Sequence, residues 1–347
     1  MRSAVKENLP IVSCVSSLFY AERWQIVAMS IEWYSYFGVS RQAYYVLSAM
    51  IGIHELLKAY NRERIIDLHY WSVPNIPELN SRLQLSTRDL AGSLNDCYLK
   101  YREAADFIIV HDVDDLIYIK HGSQFYPPLK QLWQENPLAR SLNFSARTVE
   151  MESEKGFAQF SMLKSFNSMN ILPDSITGKS IYNTSLIESV WIHWPTEYDR
   201  RLKPVTWNEN NAILIHARNF YFGKYNNSDN NRDILQETIL DSKHAQKINK
   251  NFENRKFIFE SNKYIKEMES SMRYYSNIDE CTLSIGGYDA KIFGCRSHYF
   301  CKIPRFPGIY CIESRQNYVK HVLTPFLTFY ISQKSPSPTL NKNGCSL

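Results

Sequence analysis

Three carboxylates, Asp112, Asp114 and Asp115, follow directly on the apolar run Phe107-Ile108-Ile109-Val110-His111. A run of β-formers of this length reads as a strand buried on both faces. Burial does not explain acids at its end. Ionised carboxylates set this closely repel one another, and desolvating them is costly without a cation or hydrogen-bond donors. Asp112 and Asp114, two residues apart, can act together at a strand end or in the turn after it. The chemistry that uses such a pair is the binding of a divalent cation that carries a diphosphate. A solvated acidic turn is the plain alternative, and a bare Asp-x-Asp on its own favours it.

The elements that must position these acids can be read in order. Ile11–Leu18 reads as a buried first strand. Trp24, Val27, Ile31 and Tyr34 fall at helical spacing, with Gly38 as a stop. Ala43–Leu47 reads as a second strand, His54–Tyr60 as a short helix and Arg64–Tyr70 as a third, alternating strand. Ser86 with Asp89 resembles a capping box. The helix it opens carries Leu90, Leu94, Cys97, Tyr98 and Tyr101 on one face and leads into the Phe107 strand. This β-α-β-α-β-α-β pattern predicts a parallel, doubly wound sheet with right-handed crossovers. Ligands of such sheets bind beyond the carboxyl ends of the strands, where Asp112 to Asp115 stand. No Gly-x-Gly-x-x-Gly or Walker sequence follows a strand, which disfavours a dinucleotide or P-loop site. Phosphate bound without a glycine cradle needs a metal.

After Pro127-Pro128 the pattern changes. Ser141–Val149, Phe157–Leu163, Lys179–Tyr182, Val190–His193 and Ala212–His216 read as shorter strands that complete a mixed sheet and build an acceptor cleft. The polar run of residues 226–231 reads as a linker. A charged helical stretch from about Arg232 to Tyr274 follows, then a cysteine cluster. The expected organisation is a lead over residues 1–10, a main domain over 11–225, a helical and cysteine-containing C-terminal extension over 226–330, and a disordered tail over 331–347.

Composition supports a globular chain. The 347 residues are 44% hydrophobic, enough for a substantial core, and the net charge of +5 includes no basic block dense enough for a nucleic-acid footprint. Twenty-three tyrosines and seven tryptophans offer faces that stack on sugars, although most such rings pack in a core. Cys281, Cys295, Cys301 and Cys311 crowd one stretch without the paired spacing of a structural zinc site. Disulfides in an oxidising compartment are expected among them. Sequons at Asn143, Asn183 and Asn226 fit a secreted glycoprotein. No apolar run is long enough to span a bilayer, and Lys6, Glu7, Asn8 and Pro10 interrupt any signal-peptide core. A luminal protein would need a targeting segment that this chain lacks.

Four ordered pieces resemble the glycosyltransferase family 92 (DUF23) proteins of nematodes and plants. They are Val12–Phe19 with Glu22-Arg23-Trp24-Gln25, Leu94–Cys97 leading through Phe107 to Asp115, Gly178–Ile181 with Val190 and His193 behind it, and Ile215-His216-Ala217-Arg218. The resemblance runs from about residue 11 to about 225. It implies a GT-A-like fold, a UDP-sugar donor, a glycan acceptor and a divalent metal, Mn²⁺ or Mg²⁺. It also implies inverting transfer of a hexose, galactose in the relatives it resembles, by type II Golgi membrane proteins. In that reading Asp114 ligates the metal, and Asp112 contacts metal or ribose. Asp115 stands behind them, or caps the turn. His216 is a further metal ligand or a packed histidine. Arg218 and Lys179 contact phosphate or are merely exposed bases. His193 is structural or faces the acceptor. The general base stays open among Glu150, Glu152, Asp174, Glu188 and Glu209. Two rivals are a carbohydrate-binding relative that has lost turnover, and an all-helical phosphohydrolase of the HD type suggested by His111-Asp112.

Overall fold

The computed structural model of the protein describes residues 3–74, 76, 78, 89–120, 122–195, 199–222, 239–286, 298, 301–332 and 334–346. The linker at 226–231, the Ser86 half of the capping box, Asn226 and Cys295 lie outside them. Strands β1 (Ile11–Val15), β2 (Arg41–Val46), β4 (Ile66–Tyr70) and β5 (Phe107–His111) pair in parallel in the order β5-β1-β2-β4. Helices α1 (Trp24–Tyr36), α2 (Ile51–Arg62) and α3 (Leu90–Tyr101) make the crossovers. The short β3 (Ser48–Met50) lies between β2 and α2. The sheet continues through β10 (Ser180–Asn183), β7 (Ala139–Phe144) and β11 (Lys203–Trp207), and β10 runs antiparallel to both neighbours. The expected doubly wound mixed α/β sheet is therefore present.

Alternation along β1 explains how two helical layers are held. Ile11 and Val15 face the core that contains α1 and α2, whereas Val12 and Cys14 face the core that contains Leu94, Cys97 and Tyr98 of α3. A strand buried on both faces has to be largely apolar or have its polar groups paired, and in β1 and β5, buried at every position, the polar Ser13 and His111 meet each other at 3.2 Å. Cys14 and Cys97 form a disulfide inside the second core. Every residue of α1 from Trp24 to Tyr34 is buried. The one carboxylate among them, Glu32, accepts from the Tyr60 hydroxyl at 2.7 Å and pairs with Arg255 at 2.7 Å.

The chain leaves this sheet at the acids. Asp112 to Asp114 form a turn, and β6 (Asp115–Ile119) enters a second sheet of order β6-β12-β8-β9, with β12 (Ala212–Phe222), β8 (Ala146–Ser153) and β9 (Asn170–Ile176). Helices α4 (Tyr126–Glu135) and α5 (Met162–Asn167) flank β7 and β8 in sequence. Several expected strands differ. Ser141–Val149 is two strands broken at Ser145, in different sheets. Phe157–Leu163 is not a strand. Phe157 and Phe160 pack on Trp24 and Phe252 in a turn, and Ser161 caps α5. Val190–His193 is irregular backbone, apolar because Val190 and Ile192 bury against α3.

The residues after 239 build onto the same core. In α6 (Ser242–Glu260), Ala245, Ile248, Phe252 and Phe259 join the main cluster, followed by α7 (Lys263–Lys266) and α8 (Arg273–Gly286). The described part of the expected Arg232–Tyr274 helix is thus two helices and the start of a third. The expected disorder of the tail over 331–347 is also corrected. There β16 (Ser337–Asn341) pairs with β13 (Cys311–Arg315), which pairs with β3. Disulfides join Cys311 to Cys345 and Cys281 to Cys301, so one bridge lies within the expected cluster and one reaches into the tail. A hairpin of β14 (Val319–Thr324) and β15 (Leu327–Ile331) completes the described strands. No helix among the described residues is long and apolar enough to cross a membrane.

Candidate active site

The register of β12 against β6 sets His216 opposite Asp115. His216 Nδ1 lies 2.8 Å from Asp115 Oδ1. One ligand-capable atom from each of Asp114, Asp115 and His216 lies within 4.8 Å of the others. Asp115, expected to stand behind the ligands, is therefore in this triad. Asp112 points elsewhere. Its Oδ1 accepts from the Ser16 hydroxyl, and its Oδ2 pairs with Lys179 Nζ at 2.8 Å. Beneath the turn the buried His111 donates from Nδ1 to the Asp112 carbonyl at 2.7 Å, so it serves the backbone. His111-Asp112 closes a strand in a mixed α/β fold, which leaves no place for the helical phosphohydrolase reading.

Lys179, expected as a phosphate contact or an exposed base, is 6% exposed. Its ammonium also lies 3.4 Å from Asp115. The glycine before it makes this placement possible: a Cβ on Gly178 would sit 1.6 Å from the Phe144 carbonyl oxygen. His193 Nδ1 donates to the Gly178 carbonyl at 2.9 Å and so holds that same segment. Burial opposes ionisation of Asp112 and Asp115, but Lys179 and His216, with Ser16 for Asp112, together outweigh it and both pKa values fall below the usual carboxylate range. Burial likewise lowers Lys179, while Asp112 and Asp115 outweigh it and raise its pKa. For His216, burial is outweighed by Asp114 and by the Asp115 hydrogen bond, and the pKa is pushed up to about 8.

A cavity of about 270 Å³ opens beside the acids at the carboxyl end of β1. Its carboxylates among the described residues are Glu22, Asp112, Asp114 and Asp279. Helix α8 supplies one wall through Tyr275, Ile278, Asp279 and Thr282. Arg218 reaches this cavity, where its guanidinium donates to Tyr275 at 3.1 Å and pairs with Asp279. None of the described base candidates lines it. Glu150 accepts from Tyr221 at 2.9 Å, Glu209 pairs with Arg147, Glu188 with Arg102, and the Glu152 backbone N–H donates to Ser168. The Asp174 side chain lies outside the described residues. Sequence reasoning assigned no role to Glu22, Arg23 or the α8 wall. Glu22 and Arg23 were visible in the sequence only as part of a resembling piece.

The model of the family described as glycosyltransferase family 92 matches residues 10–256. The chain belongs to glycosyltransferase family 92. Among curated relatives of Caenorhabditis elegans, glycosyltransferase family 92 protein F59C6.8 is 26% identical over 373 residues, covering 100% of this chain and 70% of its own length. The family 92 protein F13G3.3 is 26% identical over 291 residues, covering 79% of this chain and 57% of its own. This family 92 chain thus spans little more than half of one of these relatives and 70% of the other. Among solved structures, S. aureus TarS 1-349 in complex with UDP is 11% identical with a TM-score of 0.27, covering 80% of this chain and 78% of that one. A second crystal structure of S. aureus TarS is 13% identical with a TM-score of 0.29, covering 80% of this chain and 47% of that one.

The donor set of this family 92 site can be tested against a divalent cation. Two carboxylates and one imidazole whose ligand atoms lie within 4.8 Å of one another suit Mn²⁺, and the oxygen donors also suit Mg²⁺. The residues fit. Asp114, Asp115 and His216 would hold the ion, with His216 neutral, since a protonated imidazole has no lone pair to give.

Proposed function

We propose that this glycosyltransferase moves a hexose from a UDP-sugar to a glycan hydroxyl, with inversion and with a divalent metal, and that the hexose is galactose. The observation that carries the reading is the triad of Asp114, Asp115 and His216 at the edge of the cavity, beyond the carboxyl ends of β1 and β5, in a family 92 chain. A bound divalent cation supplies neutralising charge to the leaving diphosphate. The protein's own residues fix the frame for it. Lys179 and Ser16 hold Asp112, and Asp115 orients the His216 ring. The three disulfides support an oxidising, secretory compartment, the Golgi in our reading.

The test is transfer from UDP-galactose and UDP-glucose to fucose- or galactose-terminated glycans, with and without Mn²⁺. We expect Mn²⁺-stimulated transfer that favours UDP-galactose. Equal use of both donors, or preference for UDP-glucose, would sink the sugar assignment alone. Asp114→Asn should abolish Mn²⁺-dependent UDP binding in calorimetry while the fold survives, and unchanged affinity would remove the metal role. A folded protein that binds glycans but neither Mn²⁺ nor UDP would instead be a carbohydrate-binding relative without turnover.

A further inference from the structure

Arg23 precedes α1 and lines the cavity together with Asp112, Asp114 and Arg218. Its guanidinium donates to Asp114 Oδ2 at 3.2 Å and to the Arg218 carbonyl at 2.7 Å. Its Cζ lies 4.0 Å from the centre of the Tyr275 ring, and the hydroxyl of that same tyrosine accepts from Arg218 Nε at 3.1 Å. One side chain of α8 therefore holds two guanidinium groups at one cavity. We propose that Arg23, together with Arg218, binds the diphosphate of the donor, and that Asp114 and Asp279 occupy the two guanidinium groups in its absence. The proposal rests on the reading of a nucleoside diphosphate sugar as donor.

Three observations carry it beyond a plain ion pair. First, Lys179, the other lysine or arginine of the acid cluster, does not line the cavity and is engaged by Asp112 and Asp115, so among the described residues the cavity's permanent positive charge comes from the arginines, beside the titratable His216. Second, the contact of Arg23 with Asp114 is a single 3.2 Å approach and not a two-bond fork, although a guanidinium carries five N–H donors in a fixed plane. That plane is suited to phosphate oxygens, and the Tyr275 ring, 4.0 Å from the guanidinium carbon, holds the group at the cavity before any ligand arrives. Third, the Arg23 partner Asp114 is also a member of the triad that would hold the cation. Engagement of Asp114 there frees Arg23 in the same cavity in which a diphosphate must be neutralised.

The experiment compares wild type, Arg23→Met and Arg23→Lys by calorimetric titration with UDP and with uridine, in chelator and again in Mn²⁺. Arg23→Met should lower UDP affinity about tenfold or more and leave uridine affinity unchanged, as expected for loss of a charged hydrogen bond to phosphate. Arg23→Lys should fall between the two. Mn²⁺ titration without nucleotide adds an independent readout, because Arg23→Met removes a cation that competes for Asp114 and should tighten Mn²⁺ binding, whereas general damage would weaken both ligands. Wild-type UDP affinity in Arg23→Met, or an equal loss for uridine, would overturn the arginine assignment. A wild type that binds no UDP in either condition would bring down the donor reading itself.

Discussion

The Glu22 carboxylate accepts the backbone N–H of Tyr275 at 2.6 Å and that of Arg273 at 3.0 Å, across 253 and 251 residues of sequence. It also accepts from the Ser271 hydroxyl at 3.0 Å. A carboxylate from the loop after β1 thus caps the first turn of α8, whose N–H groups have no partners within the helix. Glu22→Ala should cost roughly 2 kcal/mol, the scale of a lost cap whose donors stay buried. Hydrogen exchange should speed up in the first turn of α8 and stay slow in β1 and β5. Unchanged protection in α8 would show that the wall is held by other contacts.

Lys179 is the counter-charge of two carboxylates, and its loss should first be felt as instability. Lys179→Met strands Asp112 and Asp115, both held below the usual carboxylate range mainly by that ammonium working against burial. Breaking a buried pair on one side costs about 3–5 kcal/mol. Adding Asp112→Asn should recover part of the loss, because one of the two stranded charges is then gone. Chemical denaturation of the single and double variants measures this, and a fully additive double variant would rule the coupling out.

The Cys14–Cys97 bridge closes a sequence separation of 83 residues between β1 and α3. Cross-linking a loop of that length restricts the unfolded chain by about 4–5 kcal/mol in the entropic account. The Cys14→Ala, Cys97→Ala protein should therefore unfold at clearly lower denaturant, with the Cys281–Cys301 and Cys311–Cys345 bridges retained. An unchanged midpoint would mean that packing in the second core alone fixes α3.

Asp67 on β4 predicts an acid limb of stability. Burial raises its pKa, but the Tyr101 hydroxyl, Lys100 and Arg41 outweigh that and leave it below the ordinary value of 3.8. The folded protein thus binds this proton less readily than the unfolded chain. The stabilisation is fully present above pH 3.8 and is lost as pH falls through the folded value. Asp67→Asn should be less stable than wild type near neutrality, and the gap should close on acidification below about pH 4. A gap that does not depend on pH would assign the loss to packing.

Much of the sheet was legible because its signal is local. The runs at Ile11 and Phe107 are largely apolar and buried at every position, and acids end the second abruptly, which is what a parallel strand opening onto a site requires. The misread segments share a different cause. Phe157, Phe160, Val190 and Ile192 are apolar because neighbours cover them, not because they lie in a sheet, and burial alone does not specify a strand. In the acid cluster, the sequence reading set Asp112 beside Asp114 and His216 and put Asp115 behind them, whereas Asp115 is the one grouped with Asp114 and His216. That choice depends on the register of β12 against β6, set across 101 residues, and on where Lys179 enters, neither of which is a local signal. Glu22 and Arg23 gave no local signal at all, since their partners lie in α8.

The pairing of β16 with β13, and of β13 with β3, bears on how the protein is made. Tyr274 sits in α8 beside Tyr275, and its hydroxyl accepts the backbone N–H of Cys345 at 2.8 Å. A nascent chain has already emitted the strand, the acids and His216 when this last stretch is still inside the ribosome. At synthesis rates of about 5–20 residues per second it spends several seconds without that contact on α8. The contact forms once Cys345 emerges, on the segment that a disulfide ties to Cys311. A chain cut before residue 337 should therefore carry the whole acid triad and lack the Tyr274–Cys345 contact, so that the α8 wall keeps its Glu22 cap and loses its tether to the β16 segment.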